Sequence, residues 1–267
     1  MFGVLSLITV AIGCGVAHAN GVPVGVWVRN PASWVTGALA GALMLRVAGD
    51  RVAVGWLLAA PFGLAASFAG AGQFGVHRWF DIGPLHINAA QVLLPPAIVA
   101  LALPGRGPAR AGIAAVIMAL LVAQPDASQA TAFGGALFGL IGASALPRRL
   151  RVGAMIAVGA AVSVSWMRPD PLQPVPEVEE ILRLAWDLSP FAALAAGTAL
   201  LATVCAFALF PAGRAQGGPR ALGAYAVLSA LMPLLGPFPV PLVGMAMSPI
   251  VGLWLGAGLL AAQARRQ

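Results

Sequence analysis

The side chains of this sequence that could do chemistry fall in three places. Gln124-Pro125-Asp126 carries the one acidic side chain between Asp81 and Asp170, set where two apolar runs meet. A carboxylate at a membrane boundary carries a desolvation cost that a lipid-facing residue does not, which makes Asp126 a functional candidate on physical grounds. The plainer reading is a turn: Asp126 follows Pro125 and caps the next helix through the Ser128 or Gln129 amides, where Asn would serve equally well. Arg78 and Arg168 come second, because a guanidinium fork fits phosphate oxygens bidentately. Each also has an acid close by in sequence, Asp81 for Arg78 and Asp170 for Arg168. His77, Asp81 and His86 come third. Their spacing matches no compact ligand set and no Cys is near, so neither a metal site nor a cofactor is expected. Asn88 and Gln91, three residues apart, suit hydrogen bonds between helices.

The elements that must hold these residues are transmembrane helices. With 60% hydrophobic and 9% charged side chains among 267 residues, and a mean hydropathy of +0.91, a water-soluble globule is excluded. The chain reads as an all-α polytopic membrane protein. The net charge of +7 does not point to nucleic acid, because the basic residues are scattered between apolar runs and not clustered on one domain. All fifteen are Arg. Cys14 and Cys205 lie inside apolar runs and read as small core residues, not as a disulfide or metal pair.

Apolar runs at about 3–19, 32–48, 52–75, 84–103, 110–123, 127–146, 152–167, 189–210, 221–235 and 242–262 predict ten spans in a single transmembrane domain, 1–267. Ala17-His18-Ala19 resembles a signal-peptidase site, but no basic stretch precedes it, so the first run reads as a transmembrane helix. With the N-terminus inside, eleven Arg (46, 51, 106, 110, 148, 149, 151, 214, 220, 265 and 266) fall in inner loops and four (29, 78, 168 and 183) in outer ones. Both termini are therefore expected in the cytoplasm. All acids except Asp50 then lie outside, as do His77 and His86. The outer loop 168–188 opens with four prolines, and Glu177 to Trp186 reads as a short helix on the membrane surface that starts at Pro176. Arg78, Asp126 and Arg168 are expected to open toward one outward-facing cavity.

Arg78-Trp79-Phe80-Asp81-Ile82-Gly83-Pro84, followed by Ile87-Asn88-Ala89-Ala90-Gln91, resembles the SEDS family of bacterial cell-wall polymerases, the FtsW/RodA proteins. Gln124-Pro125-Asp126 is similar to the Gln-Pro-Asp motif at the outer end of that family's fifth helix. Met232-Pro233-Leu234-Leu235-Gly236-Pro237-Phe238-Pro239 is similar to its loop before the tenth helix. The three motifs occur in family order and on the expected outer face. Departures are equally visible: Gln91 and Leu94 stand where the family has Glu and Lys, Ser128-Gln129 replaces Gly-Thr, and the loop Val243 to Ser248 is reduced.

The resemblance implies a protein of the bacterial inner membrane that polymerises undecaprenyl-linked lipid II into glycan strands beside a single-pass transpeptidase. It implies Asp126 as the catalytic base, with Arg78, Arg168 and Gln124 contacting the lipid-linked substrate. The alternative is a catalytically inactive relative that serves as a membrane scaffold or precursor binder. Asp126 favours the enzyme. The lost Glu/Lys pair favours the scaffold.

Overall fold

In the computed structural model, residues 1–83, 85–105, 107–168 and 170–266 are described, apart from the side chain of Ile82. Pro84 of the first motif, Arg106 of the arginine count and Pro169 of the proline-rich loop lie outside the described residues. All ten expected spans correspond to helices. The first three are α1 (Phe2–Ala19), α3 (Arg29–Val47) and α4 (Asp50–Ala66), with a short α2 (Val24–Trp27) between α1 and α3. After a hairpin of β1 (Trp79–Ile82) and β2 (Leu85–Asn88) come α5 (Ala89–Leu101), α6 (Gly107–Ala123), α7 (Ala127–Gly142) and α8 (Arg148–Met167). The outer loop forms α9 (Pro176–Glu179) and α10 (Ile181–Leu188), and α11 (Pro190–Cys205), α12 (Gly218–Leu231) and α13 (Met247–Ala264) complete the bundle. Among the described residues, five helices are long and apolar enough to cross a membrane by length and composition. The protein is a polytopic all-α membrane protein.

Its shorter helices survive by standing inside the bundle. α5 has thirteen residues, a rise of about 20 Å against the ~30 Å hydrocarbon core, but ten of those residues are buried, so it does not face the full lipid thickness. α13 is the hub. Glycines bring α3 against it: a Cβ on Gly258 would lie 2.5 Å from the Gly41 carbonyl oxygen, and one on Gly41 would lie 2.8 Å from the Trp254 carbonyl oxygen. In lipid, where apolar side chains gain nothing by leaving the solvent, such close backbone approach is what holds helices together. α1 is packed into the same body, with Phe2 against Phe207 and Trp254 and Thr9 hydrogen-bonded to Thr203 on α11 at 2.8 Å.

Three sequence expectations are corrected. The fourth span begins at Ala89, not near 84, because Leu85–Asn88 pairs antiparallel with Trp79–Ile82 and Asn88 caps α5 by accepting the Gln91 amide at 3.0 Å. The third span ends earlier than 75: α4 stops at Ala66 and a single 3-10 turn carries it to Ala69. The expected helix starts at Pro176 but is broken at Glu180 into α9 and α10, and its apolar stripe packs into the bundle, with Ile181 and Ala185 fully buried. Backbone bonds tie α9 to the loop before α13, Val240 N–H to Val178 O at 3.0 Å and Met245 N–H to Glu177 O at 2.9 Å.

Candidate functional site

Pro125 cannot donate a backbone hydrogen bond, so α6 ends there and α7 starts two residues later. The joint between them is Gln124-Pro125-Asp126, at the end of the bundle that the arginine count places outside. Asp126 is the N-cap of α7: its Oδ1 accepts the Gln129 amide at 3.2 Å and the Ser128 hydroxyl at 3.2 Å. The capping reading is thus a structural fact. It uses one carboxylate oxygen only. The other, Oδ2, makes no hydrogen bond although the side chain is 2% exposed.

Arg78 faces that oxygen. The hairpin positions it, because Ala89 N–H bonds Arg78 O at 3.0 Å and fixes the strand base beside the start of α5. Arg78 Nε lies 3.6 Å from Asp126 Oδ2, while its Nη2 donates to Asp170 Oδ2 at 2.8 Å and to the Pro125 carbonyl oxygen. One guanidinium is therefore shared by two carboxylates from different loops, in a setting where Arg78 is 5% exposed. Neither local pairing suggested by the sequence occurs. Asp81 instead pairs with His86 at 2.6 Å, and Asp170 is taken by Arg78, not Arg168.

Gln124 is fully buried; its Nε2 donates to Leu64 O at 2.9 Å and to Ser67 Oγ at 2.6 Å. Ser67 Oγ is in turn 2.7 Å from His77 O, so Gln124 locks the end of α4 to the segment that carries Arg78. Arg168 is exposed at the outer end of α8, with no ion pair among the described residues. The expected arrangement is therefore corrected. Arg78 and Asp126 meet, but they are sealed and do not open onto a shared cavity with Arg168. An open cavity of about 420 Å3 beside them is lined by Gly70, Gln73, Trp79, Phe80 and Asp81. His77 stacks on Phe68, away from the Asp81–His86 pair, and no three potential metal ligands gather among the described residues.

Sequence reasoning missed a polar chain running inward from Asp126. Ser128 contacts Gln129 at 3.5 Å, and Gln129 Oε1 accepts the Tyr225 hydroxyl at 2.6 Å. Tyr225, Ser229, Gln91 and Gln129 line a cavity of about 10 Å3, room for about one water. The one tyrosine of an apolar chain was a visible signal. On the outer loop, burial and the negative charges of Glu177 and Asp170 push the Glu179 carboxyl up to about 7, against the opposing hydrogen bond from Val175 N–H at 2.7 Å.

Neither a family model nor a curated protein matches the sequence. Solved structures do. One is a chain of a peptidoglycan synthase complex described as coordinating polymerization and crosslinking, 21% identical, with 99% of this chain and 97% of that chain covered and a TM-score of 0.66. The rod shape determining protein RodA of Thermus thermophilus is 18% identical over 99% of this chain and 96% of its own, with a TM-score of 0.61. An aspartate-to-alanine variant of that RodA is also 18% identical, covering 99% and 97%, at a TM-score of 0.65. At these identities the likeness is one of fold. The chain has the RodA-like SEDS fold.

Proposed function

We propose that this protein acts in bacterial cell-envelope biogenesis as a membrane glycosyltransferase that polymerises lipid II, with Asp126 as general base. The observation that carries the reading is the buried Asp126 Oδ2 without a hydrogen bond, 3.6 Å from the Arg78 guanidinium. A buried polar atom left unpartnered calls for an explanation, a catalytic role being one, and Asp126 Oδ2 is the carboxylate oxygen among those atoms. The cap needs only Oδ1, so Oδ2 is left to take a proton. In the proposed step the acceptor sugar hydroxyl attacks the donor anomeric carbon, its proton passes to Asp126 Oδ2, and the bond from that carbon to the lipid diphosphate breaks.

Gln124 acts in this scheme as a positioning residue, since its Nε2 already donates to Leu64 O and Ser67 Oγ; Arg78 commits Nη2 to Pro125 O and Asp170 and keeps Nε, which makes no hydrogen bond, facing Asp126 Oδ2. Arg168, exposed on the same end of the bundle, supplies the diphosphate contact. Substrate entry then requires the outer loop to move, because Asp170 closes over Arg78. That loop is tied through α9 to the segment before α13, and a single-pass transpeptidase bound to the outer face is the partner suited to shift it. The orientation follows the arginine count, with both termini in the cytoplasm of a bacterial inner membrane.

The second reading, an inactive scaffold or precursor binder, draws on the same closure: a site sealed by an Arg shared between two carboxylates suits a relative that holds its fold without turnover. Reconstitution with purified lipid II, alone and with a transpeptidase partner, separates the two. Glycan chains support the enzyme. Retained partner binding with no chains supports the scaffold.

A further inference from the structure

At the end of the bundle opposite Asp126, separate chain segments converge on a second cavity. It has a volume of about 80 Å3, with Asp50, Arg110 and Arg214 on its polar side and Val54, Leu57 and Leu103 among its apolar lining. Arg214 donates to Asp50 from both terminal nitrogens, at 2.7 and 3.3 Å. Arg110 uses one nitrogen on the Pro104 carbonyl oxygen at 3.0 Å. The Arg266 guanidinium lies against Gly49, where a Cβ would sit 3.2 Å from its Nη1. Arg214, Arg266 and Arg110 all act electrostatically on the Asp50 carboxylate. Three guanidiniums against one carboxylate leave two positive charges in excess.

Asp50 is 62% exposed and Arg214 34% exposed, so their pair sits at a rim where exchanging one anion for another costs little. The apolar side continues outward: Val54 is 47% exposed on the flank of α4, leading from the charged rim to the lipid-facing surface. A cavity with guanidiniums at one end and an aliphatic wall leading to lipid fits a phosphate carried on an acyl chain.

We propose that this cavity binds the phosphate of an anionic phospholipid in the leaflet that the arginine count makes cytoplasmic. The chemistry recognised is a phosphate with no cation on its headgroup to offset it against the excess guanidiniums, and the acyl chain on the Val54 flank distinguishes a lipid from the free ion. Asp50 competes with the phosphate for Arg214 and sets the affinity.

The test titrates the purified full chain in neutral detergent, read by native mass spectrometry, with three probes: short-chain phosphatidylglycerol, phosphatidylcholine of the same chain length, and inorganic phosphate. Phosphatidylglycerol should bind ~10-fold more tightly than either of the others, the effect of about one charge-assisted contact and its apolar tail. Arg110→Gln/Arg214→Gln should lose that preference, while Arg148→Gln/Arg149→Gln, at the same end but outside the cavity, should keep it. Asp50→Asn should bind phosphatidylglycerol severalfold more tightly, an outcome that a damaged fold cannot imitate. Equal affinity for the two lipids, equal loss in both arginine pairs, or no tightening in Asp50→Asn would overturn the proposal. Inorganic phosphate binding as tightly as phosphatidylglycerol would overturn the lipid assignment.

Discussion

An Arg78→Gln variant should lose about 3–5 kcal/mol of stability, the usual cost of removing one partner from a buried ion pair and stranding its charge. Here two carboxylates are stranded: Asp126, 2% exposed, and Asp170, 16% exposed. Asp126→Asn should cost only about 1 kcal/mol, because Asn keeps the cap and Arg78 keeps Asp170. The Asn variant is therefore not neutral, as a pure cap would make it. The double variant leaves Asp170 alone, exposed enough to recover water, and should cost about 2–3 kcal/mol, less than the two single changes together by about 2 kcal/mol. Equilibrium unfolding in mixed micelles, followed by tryptophan fluorescence, measures all four corners of this cycle. An Arg78→Gln cost below about 1 kcal/mol, or strict additivity, would refute the claim that one guanidinium neutralises both acids.

Gly258→Leu should destabilise by about 3 kcal/mol or more, since even a Cβ would lie 2.5 Å from Gly41 O with only backbone to yield; the same unfolding assay reads it, and a loss below about 1 kcal/mol would contradict the close α3–α13 contact. For Glu179, folding raises the carboxyl from its ordinary 4.5 to about 7, so its contribution is fully present below about 4.5 and lost as pH rises through about 7. Glu179→Gln should accordingly flatten the stability profile over that window and be the more stable protein at pH 8; an unchanged profile would show that Glu179 does not titrate there. A reporter active only in the cytoplasm should function when fused to the C-terminus, and activity of a periplasm-only reporter at that position would invert the topology.

Hydropathy located all ten long helices because each needs an unbroken apolar run, and Pro176 marked the start of α9 because it suits a helix start. The hairpin escaped it. Leu85–Asn88 merged with the apolar run of the next helix and Trp79–Ile82 fell in the loop between two runs, and the cue that would have separated strand from helix was Asn88 followed three residues later by Gln91, a helix-start pattern. Asp126 stood out through charge alone, whereas its partners did not: Arg78 and Asp170 are 92 residues apart, and local proximity favoured Asp81 and Arg168 instead. Nothing in the sequence could show that Gln124 turns inward to Leu64, since a glutamine beside a proline reads equally well as a surface residue. The Tyr225–Gln129 bond was hidden for the same reason, its two residues lying on α12 and α7.

The catalytic claim is tested most directly by glycan polymerisation from lipid II with Asp126→Asn, reconstituted beside the unaltered protein and a transpeptidase partner. Asn keeps the cap and the fold but has no carboxylate oxygen to take the proton. Losing a general base typically costs ~100-fold or more in rate, so the Asn variant should fall by at least that factor while still binding the partner. Polymerisation at the unaltered rate in Asp126→Asn would remove Asp126 from the chemistry, and no chains from the unaltered protein would leave the fold as a scaffold.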